Sequence, residues 1–426
     1  MDHIKHLKCL VCGKEYQPGE VQYVCPDHGD DGIVDVQYDY DLISQRISPQ
    51  QLRENQDYTI WRYKPLLPVA PDAEVPPLAV GWTPLYETPR LAHSLGLKHV
   101  WVKDDGRQPT ASFKDRASAL AVVKAQEQGA EIITTASTGN AAAALSGLCA
   151  SVGQPNVIFV PASAPQAKIA QLLTFGSTVM LVQGTYDDAF ELCLQAAAEY
   201  GWYNRNTGYN PYMSEGKKTA SYEICEQLGW EAPDAIFVSV GDGCIIGGLH
   251  KGLVDLKELG WIDRMPRLYG VQAAGSDWLA RAWEEDPGGQ ADLLARPPIK
   301  AETIADSISA GLPRDRIKAM RAVRDTGGAY IRVDDDEILA AIPALARGSG
   351  VFAEPAGAAA YAGLVRAVDE GLVDAGERIV VLNTGSGLKD VASAMKAVAL
   401  VKTTPHSVEP AIEELRRVLD STGLGN

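Results

Sequence analysis

The sequence predicts an α/β protein whose parallel sheets lie in doubly wound layers, preceded by a small cysteine-rich hairpin. Two observations predict it. From about residue 80 onward, short apolar strands alternate with longer helical runs. Before that, a C-x2-C pair (Cys9, Cys12) is followed by a C-x2-H pair (Cys25, His28).

The hairpin comes first. Residues 1–40 hold both pairs, and the intervening KEYQPGEVQYV suggests a short hairpin. Two close-spaced pairs in tight turns suit one tetrahedral zinc with three thiolates and an imidazole; the plainer alternative is buried cysteines beside a solvated His28. No βαβ pattern surrounds the C-x2-C, which argues against thioredoxin-like redox chemistry. A Pro-rich connection over 64–87 leads to the expected strands at 99–105, 131–136, 156–161, 178–183, 235–240, 267–274 and 378–385. Runs such as AAAALSGLCASVG, YDDAFELCLQAAAEYG and GVFAEPAGAAAYAGLVRAVDEG supply the helices between them. PGGQADLLARPPIK (287–300) reads as a loop, and the acidic PAIEELRRVLD as a solvated C-terminal helix.

Composition narrows the function. The 426 residues suggest two or three domains, and 40 glycines with 25 prolines are ordinary usage. A net charge of -16, from 39 basic and 55 acidic residues, argues against a nucleic-acid partner. No apolar run is long enough to span a membrane, and MDHIKHLKCL lacks the apolar core of a signal peptide. Seven cysteines in this length do not make a disulfide scaffold, so a cytoplasmic protein with reduced thiols is expected.

Three turns carry the chemistry. In PTASFKDR, Ser112 reads as an N-cap and Asp115 as its capping-box partner, which puts Lys114 in a first helical turn. A cation is badly placed there, where the macrodipole is positive, and its ammonium form is disfavoured. After the strand EIITTA, Ser137-Thr138-Gly139-Asn140 forms a nest of donors suited to a carboxylate. After AIFVSV, Gly241-Asp242-Gly243-Cys244-Ile245 opens a helix in the manner of a phosphate turn. Separately, each has a plain explanation: a surface lysine, a helix cap, a packing turn. A dinucleotide would want GxGxxG and an acidic end to the next strand, RLYGVQAA, and neither is present. One cofactor needs all three turns. Pyridoxal phosphate requires a lysine, a phosphate cradle and a polar partner for its ring.

PTASFKDR, ASTGNAAAA, VGDGCIIGG, FAEPAGAAAYAGL and NTGSGLKD, in that order, resemble the P-T-G-S-F-K-D-R, A-S-T-G-N-T-A-A, V-G-N-A-G-N, F-x-E-P-A-S-A-A and T-G-H-G-L-K-D segments of the threonine synthase family, fold-type II pyridoxal phosphate enzymes. The N-terminal cysteine hairpin also has a counterpart in many members. The resemblance runs from about residue 8 to 400 and implies two doubly wound α/β domains. Its division would be a zinc-ribbon-like hairpin (1–40), an extension and the start of the large domain (41–105), a small domain (106–215), the large cofactor domain (216–400) and a C-terminal tail (401–426). Lys114 would bond the cofactor and shuttle protons, with Phe113 close by. Asn140 would bond the ring 3′-oxygen, Gly241 to Ile245 the phosphate, and Thr384 the ring nitrogen. Ser137, Thr138 and Gly139, with Ser112, would receive the substrate. The implied reaction turns O-phospho-L-homoserine into L-threonine and phosphate, in a homodimer or higher homo-oligomer.

One segment departs from the family. Its N-P-x-R-x-E-G-Q-K-T, whose arginine grips the substrate phosphate, is NPYMSEGKKT here, with Met213 for the arginine. Lys217, replacing the glutamine, is the expected substitute, Lys218 is the alternative, and Arg205 is another cation nearby in sequence. Ser386 replaces the family histidine, and Asp242 an asparagine. Elimination or replacement at Cβ of another small amino acid, as in a dehydratase or a cysteate-synthase-like enzyme, is therefore the alternative. A nicotinamide-dependent oxidoreductase stands further off.

Overall fold

The computed structural model describes residues 1–164, 166–287 and 292–422, so residues 288–291 of the expected loop and 423–426 of the tail lie outside the described residues. The N-terminal module is a three-stranded antiparallel sheet of β1 (Ile4–Cys9), β2 (Glu15–Tyr16) and β3 (Val34–Tyr38), ordered β2-β1-β3. Along β3, Val34, Val36 and Tyr38 are buried while Asp35 and Gln37, on the other face, are half-buried, the period of two that a strand with two unlike faces requires. The hairpin expected within KEYQPGEVQYV is a correction. Only Glu15–Tyr16 is strand there, and it pairs back onto β1 across the turn that holds Cys12.

Ten further strands build two sheets among the described residues. They are β4 (Leu85–Glu87), β5 (His99–Asp104), β6 (Ile133–Ala136), β7 (Asn156–Pro161), β8 (Thr178–Val182), β9 (Tyr203–Asn204), β10 (Ala235–Ser239), β11 (Arg267–Ala273), β12 (Tyr330–Val333) and β13 (Arg378–Asn383). The smaller sheet is parallel with order β8-β7-β6-β9. The larger runs β12-β11-β10-β13-β5-β4 and is parallel except for the β4–β5 edge pair. Helices cover both sheets, so central strands are apolar on both faces; AIFVS of β10 is buried throughout, whereas the edge strand β8 is largely exposed.

Every expected strand is present. β4, β9 and β12 are additional, all at sheet edges and only two to four residues long, too short to show a period in the sequence. One apolar core joins the N-terminal module (Leu7, Val34, Val36) to β6 and β7 (Ile133, Ile158) and to β10 (Ile236, Val238).

Five helices position the site: α1 (Lys114–Glu127), α2 (Asn140–Val152), α3 (Tyr212–Lys217), α4 (Cys244–Glu258) and α5 (Pro355–Asp369). α3 lies between α1 and α4. Its Gly216 allows the approach, since a Cβ there would stand 2.2 Å from the Arg116 carbonyl oxygen of α1.

Candidate active site

The carboxyl ends of β6 and β10 and the start of α1 converge on one cavity of about 490 Å³. Its walls carry Lys114, Ser137 to Asn140, Gly241 to Ile245, Arg205 and Lys217. Open parallel sheets leave their ligand crevice at this end.

The β6 turn is held from beneath. Asn206, just past β9, accepts hydrogen bonds from Thr135 Oγ1 (2.7 Å) and the Ala136 N–H (2.9 Å). Ser137 Oγ accepts from the Gly139 N–H at 3.2 Å, and α2 begins at Asn140. Asn140 Nδ2 donates to Glu354 Oε1 at 2.8 Å and to Ser307 Oγ at 3.3 Å, which fixes the direction of its amide. Glu354 sits at the start of α5 with its acid pushed up to about 7 by burial, against the opposing pull of Lys114. Its segment, FAEPAGAAAYAGL, carries no local sign of this contact, which spans 214 residues.

After β10 the chain turns through Gly241-Asp242-Gly243 and enters α4 at Cys244. Gly243 has φ +87°, and a Cβ on it would meet the Ala319 Cβ at 2.5 Å, so both conformation and space call for glycine. The first N–H groups of α4 have no acceptor within the helix. The Asp242 side chain is exposed at the rim and accepts the Arg314 N–H at 3.4 Å.

Lys114 is the first residue of α1. Burial lowers its pKa, and neighbouring Arg205 acts in the same direction while Cys244 and Glu354 oppose it. The expected capping box is a correction. Phe113 holds the N-cap position with no side-chain bond, and Asp115 instead accepts the Thr110 N–H (2.7 Å) and hydroxyl (2.5 Å). The cause is Ala111, whose φ of +63° turns the chain so that Ser112 bridges to Gly385 in extended form. The Phe113 N–H is satisfied by the Thr384 carbonyl at 2.9 Å. Ser112, Phe113 and Thr384 are buried and do not line the cavity.

The three cations near α3 differ. Lys217 is fully buried, lines the cavity and has no partner for its Nζ among the described residues. Arg205 is buried, lines the same cavity and leaves Nη2 without a partner. Lys218 points away, ion-paired with Glu215 (2.8 Å) and Asp255 (2.7 Å). Met213 is buried outside the cavity wall.

Away from this cavity, Cys9, Cys12, Cys25 and His28 bring one ligand atom each to within 4.8 Å of one another. Cys9 and Cys25 are buried and Cys12 is exposed. Tyr16 Oη lies 2.9 Å from Cys25 Sγ. The set can surround one ion.

Comparison with known proteins agrees with this geometry. A family model for pyridoxal-phosphate dependent enzymes matches residues 77–385. The chain is 37% identical over 413 residues to a threonine synthase from Methanocaldococcus jannaschii, covering 97% of this chain and 98% of that one. It is 39% identical over 415 residues to a threonine synthase from Methanosarcina acetivorans, with the same coverage of 97% and 98%. Among solved structures, threonine deaminase isoform 2 from Solanum lycopersicum aligns with a TM-score of 0.65 at 23% identity, over 75% of this chain and 88% of that one. Diaminopropionate ammonia lyase from Escherichia coli gives 0.63 at 20% identity, over 75% and 88%. The chain belongs to the pyridoxal-phosphate dependent enzyme family.

Proposed function

We propose that this family member is a threonine synthase, converting O-phospho-L-homoserine to L-threonine and phosphate. The observation that carries the reading is one cavity in which a lysine of lowered pKa faces both a small-residue turn and a glycine turn at a helix start, in a chain similar to threonine synthases over nearly its full length.

The residues present fit pyridoxal phosphate. The Gly241–Ile245 turn offers unclaimed helix N–H groups to its phosphate, and Asn140, kept in place by its 2.8 Å bond to Glu354, would exchange its longer 3.3 Å bond to Ser307 for one to the ring. Phe113 and Thr384, joined by their backbone bond, brace the start of α1 from behind the cavity wall rather than from within it. When bound, the cofactor supplies an electron sink for negative charge developing next to the amino-acid carbon.

The chain's own groups do the rest. Lys114 would bear the cofactor; its Nζ, whose charged form burial disfavours, would take the substrate's α-proton and return protons further along the side chain. Ser137, Thr138 and Gly139 orient the substrate carboxylate on the N-terminus of α2. Lys217 faces the leaving phosphate. We further infer that Cys9, Cys12, Cys25 and His28 hold one structural zinc, their ligand atoms, now within 4.8 Å of one another, closing to about 3.3–3.8 Å around tetrahedral bonds of about 2.0–2.3 Å. Exposed Leu388, Val391 and Met395 support a homo-oligomer. No helix among the described residues is long and apolar enough to cross a membrane, and a cytoplasmic location is in keeping with that.

The test is direct. Purified protein with pyridoxal phosphate and O-phosphohomoserine should release threonine and phosphate in equal amounts. Lys114→Ala should lower the rate by at least about 1,000-fold, and borohydride should fix the cofactor to Lys114. Absence of threonine from a cofactor-loaded parent refutes the assignment.

A further inference from the structure

Buried charge is costly unless it is paired or neutralised. Arg205 and Lys217 break that rule together. Arg205 is held by neutral partners only: Nε donates to Ser118 Oγ at 3.2 Å and Nη1 to Thr207 Oγ1 at 2.8 Å. Those two bonds fix the guanidinium plane and leave Nη2 turned out with nothing to bind. Lys217 Nζ, in the same cavity wall, binds nothing either. Among the described residues neither forms an ion pair, although the chain supplies carboxylates generously elsewhere. Glu354 is bonded to Asn140, Asp242 to the Arg314 N–H and Asp115 to Thr110; Asp315, whose charge acts on Lys217, forms no ion pair with it and leaves Oδ1 without a hydrogen bond.

We propose that Arg205 and Lys217 form a two-cation clamp for a phosphate group, and that the phosphate is the substrate's leaving group, which rests on the threonine synthase reading above. The chemistry is that of a tetrahedral dianion. A guanidinium edge and an ammonium approach it from two elements, one following β9 and one ending α3. The cofactor has a phosphate as well. Lys217 packs against Gly248 of α4, so the choice between the two phosphates rests on Arg205, whose position favours the substrate's. Arg205 leaves β9, whose neighbour β6 feeds the turn offered to the substrate carboxylate, while the α4 turn already provides N–H donors for the cofactor. Burial depresses the Arg205 pKa to about 10 and that of Lys217 to about 8, the expected state of cations awaiting an anion.

The experiment uses the cofactor-loaded enzyme and four proteins: the parent, Arg205→Gln, Arg205→Lys and Lys217→Gln. Calorimetric titration with inorganic phosphate should give a Kd at least about tenfold weaker for both glutamine variants, with Arg205→Lys between them and the parent. The kcat/KM for O-phosphohomoserine should fall roughly 30- to 1,000-fold in the same order. Cofactor retention through dialysis should match the parent. Unchanged phosphate affinity in both glutamine variants overturns the clamp. Loss of cofactor, with normal kcat/KM once cofactor is saturating, assigns the pair to the cofactor's phosphate and overturns the substrate assignment. A parent that makes no threonine refutes the functional reading, while the phosphate titration still decides the clamp. Threonine formation at the parental rate in both glutamine variants leaves the function standing and removes the clamp. Arg205→Lys, which keeps the charge, guards against a folding defect in Arg205→Gln.

Discussion

Lys217 and Lys218 are consecutive, fully buried and opposite in circumstance. Lys218 faces the N-terminal module, between Glu215 and Asp255 and 3.9 Å from the centre of the Tyr38 ring. Around it Tyr38 donates to Glu215 at 2.5 Å, Tyr40 to Asp255 at 2.7 Å, and Lys251 reaches Asp35 at 2.8 Å. Lys217 faces the cavity with no such company. One side of α3 is a closed electrostatic network; the other is charge left open. A buried cation with partners reads as architecture, and one without reads as a place for a ligand.

The largest effect that tests this contrast is on stability. Lys218→Met should destabilise the fold by about 3–5 kcal/mol, because Glu215 and Asp255 would stay buried without their cation. Lys217→Met should leave the melting temperature unchanged or raise it, while kcat/KM falls. Equal losses of stability in the two variants would break the comparison. Met213→Arg comes next. Its side chain is buried off the cavity wall, so a guanidinium there should lower the melting temperature without improving use of O-phosphohomoserine. A gain in turnover would mean that residue 213 reaches the substrate after all.

The smallest expected effect is the most specific, and it lies in pH. Burial holds Lys217 at about 8 in the folded chain, below the ordinary lysine value of 10.5. Between those values the unfolded chain binds a proton that the folded chain does not. This group therefore adds stability as pH rises from about 8 to 10.5, with phosphate absent. Phosphate binding should weaken over the same rise, as the ammonium is lost. Lys217→Gln should flatten both curves. An unchanged pH dependence of phosphate affinity in that variant would locate the titrating group elsewhere.

The same contrast marks what the sequence could reveal. Turns at strand ends were legible because their requirements are local: Gly243 must adopt φ +87°, and a hydroxyl-rich stretch before an Ala-rich run must open a helix. The state of a charge is not local. Lys217 and Lys218 are identical in text, and only partners far off in the chain separate them. Asn140 finds Glu354 across 214 residues, and Asn383 finds Asp104 across 279. The misread capping box has the same origin. Asp115 had a competing partner in Thr110, and the Phe113 N–H was already claimed by a strand end near residue 384. Short edge strands such as β12 escaped because four residues, three of them buried, show no alternation to see.

The bond between Tyr38 and Glu215 also has a consequence in time. Those residues are 177 apart, and Lys251 stands 216 residues from Asp35. During synthesis at about 5–20 residues per second, β3 waits roughly 10–35 s for α3 to be made. Its inward Val34, Val36 and Tyr38 need cover throughout that interval. Contacts of such separation are slow to form and favour late docking. The N-terminal module is thus the first part of the chain to be made and among the last to be secured, and its closure completes the far side of the helix that presents Lys217.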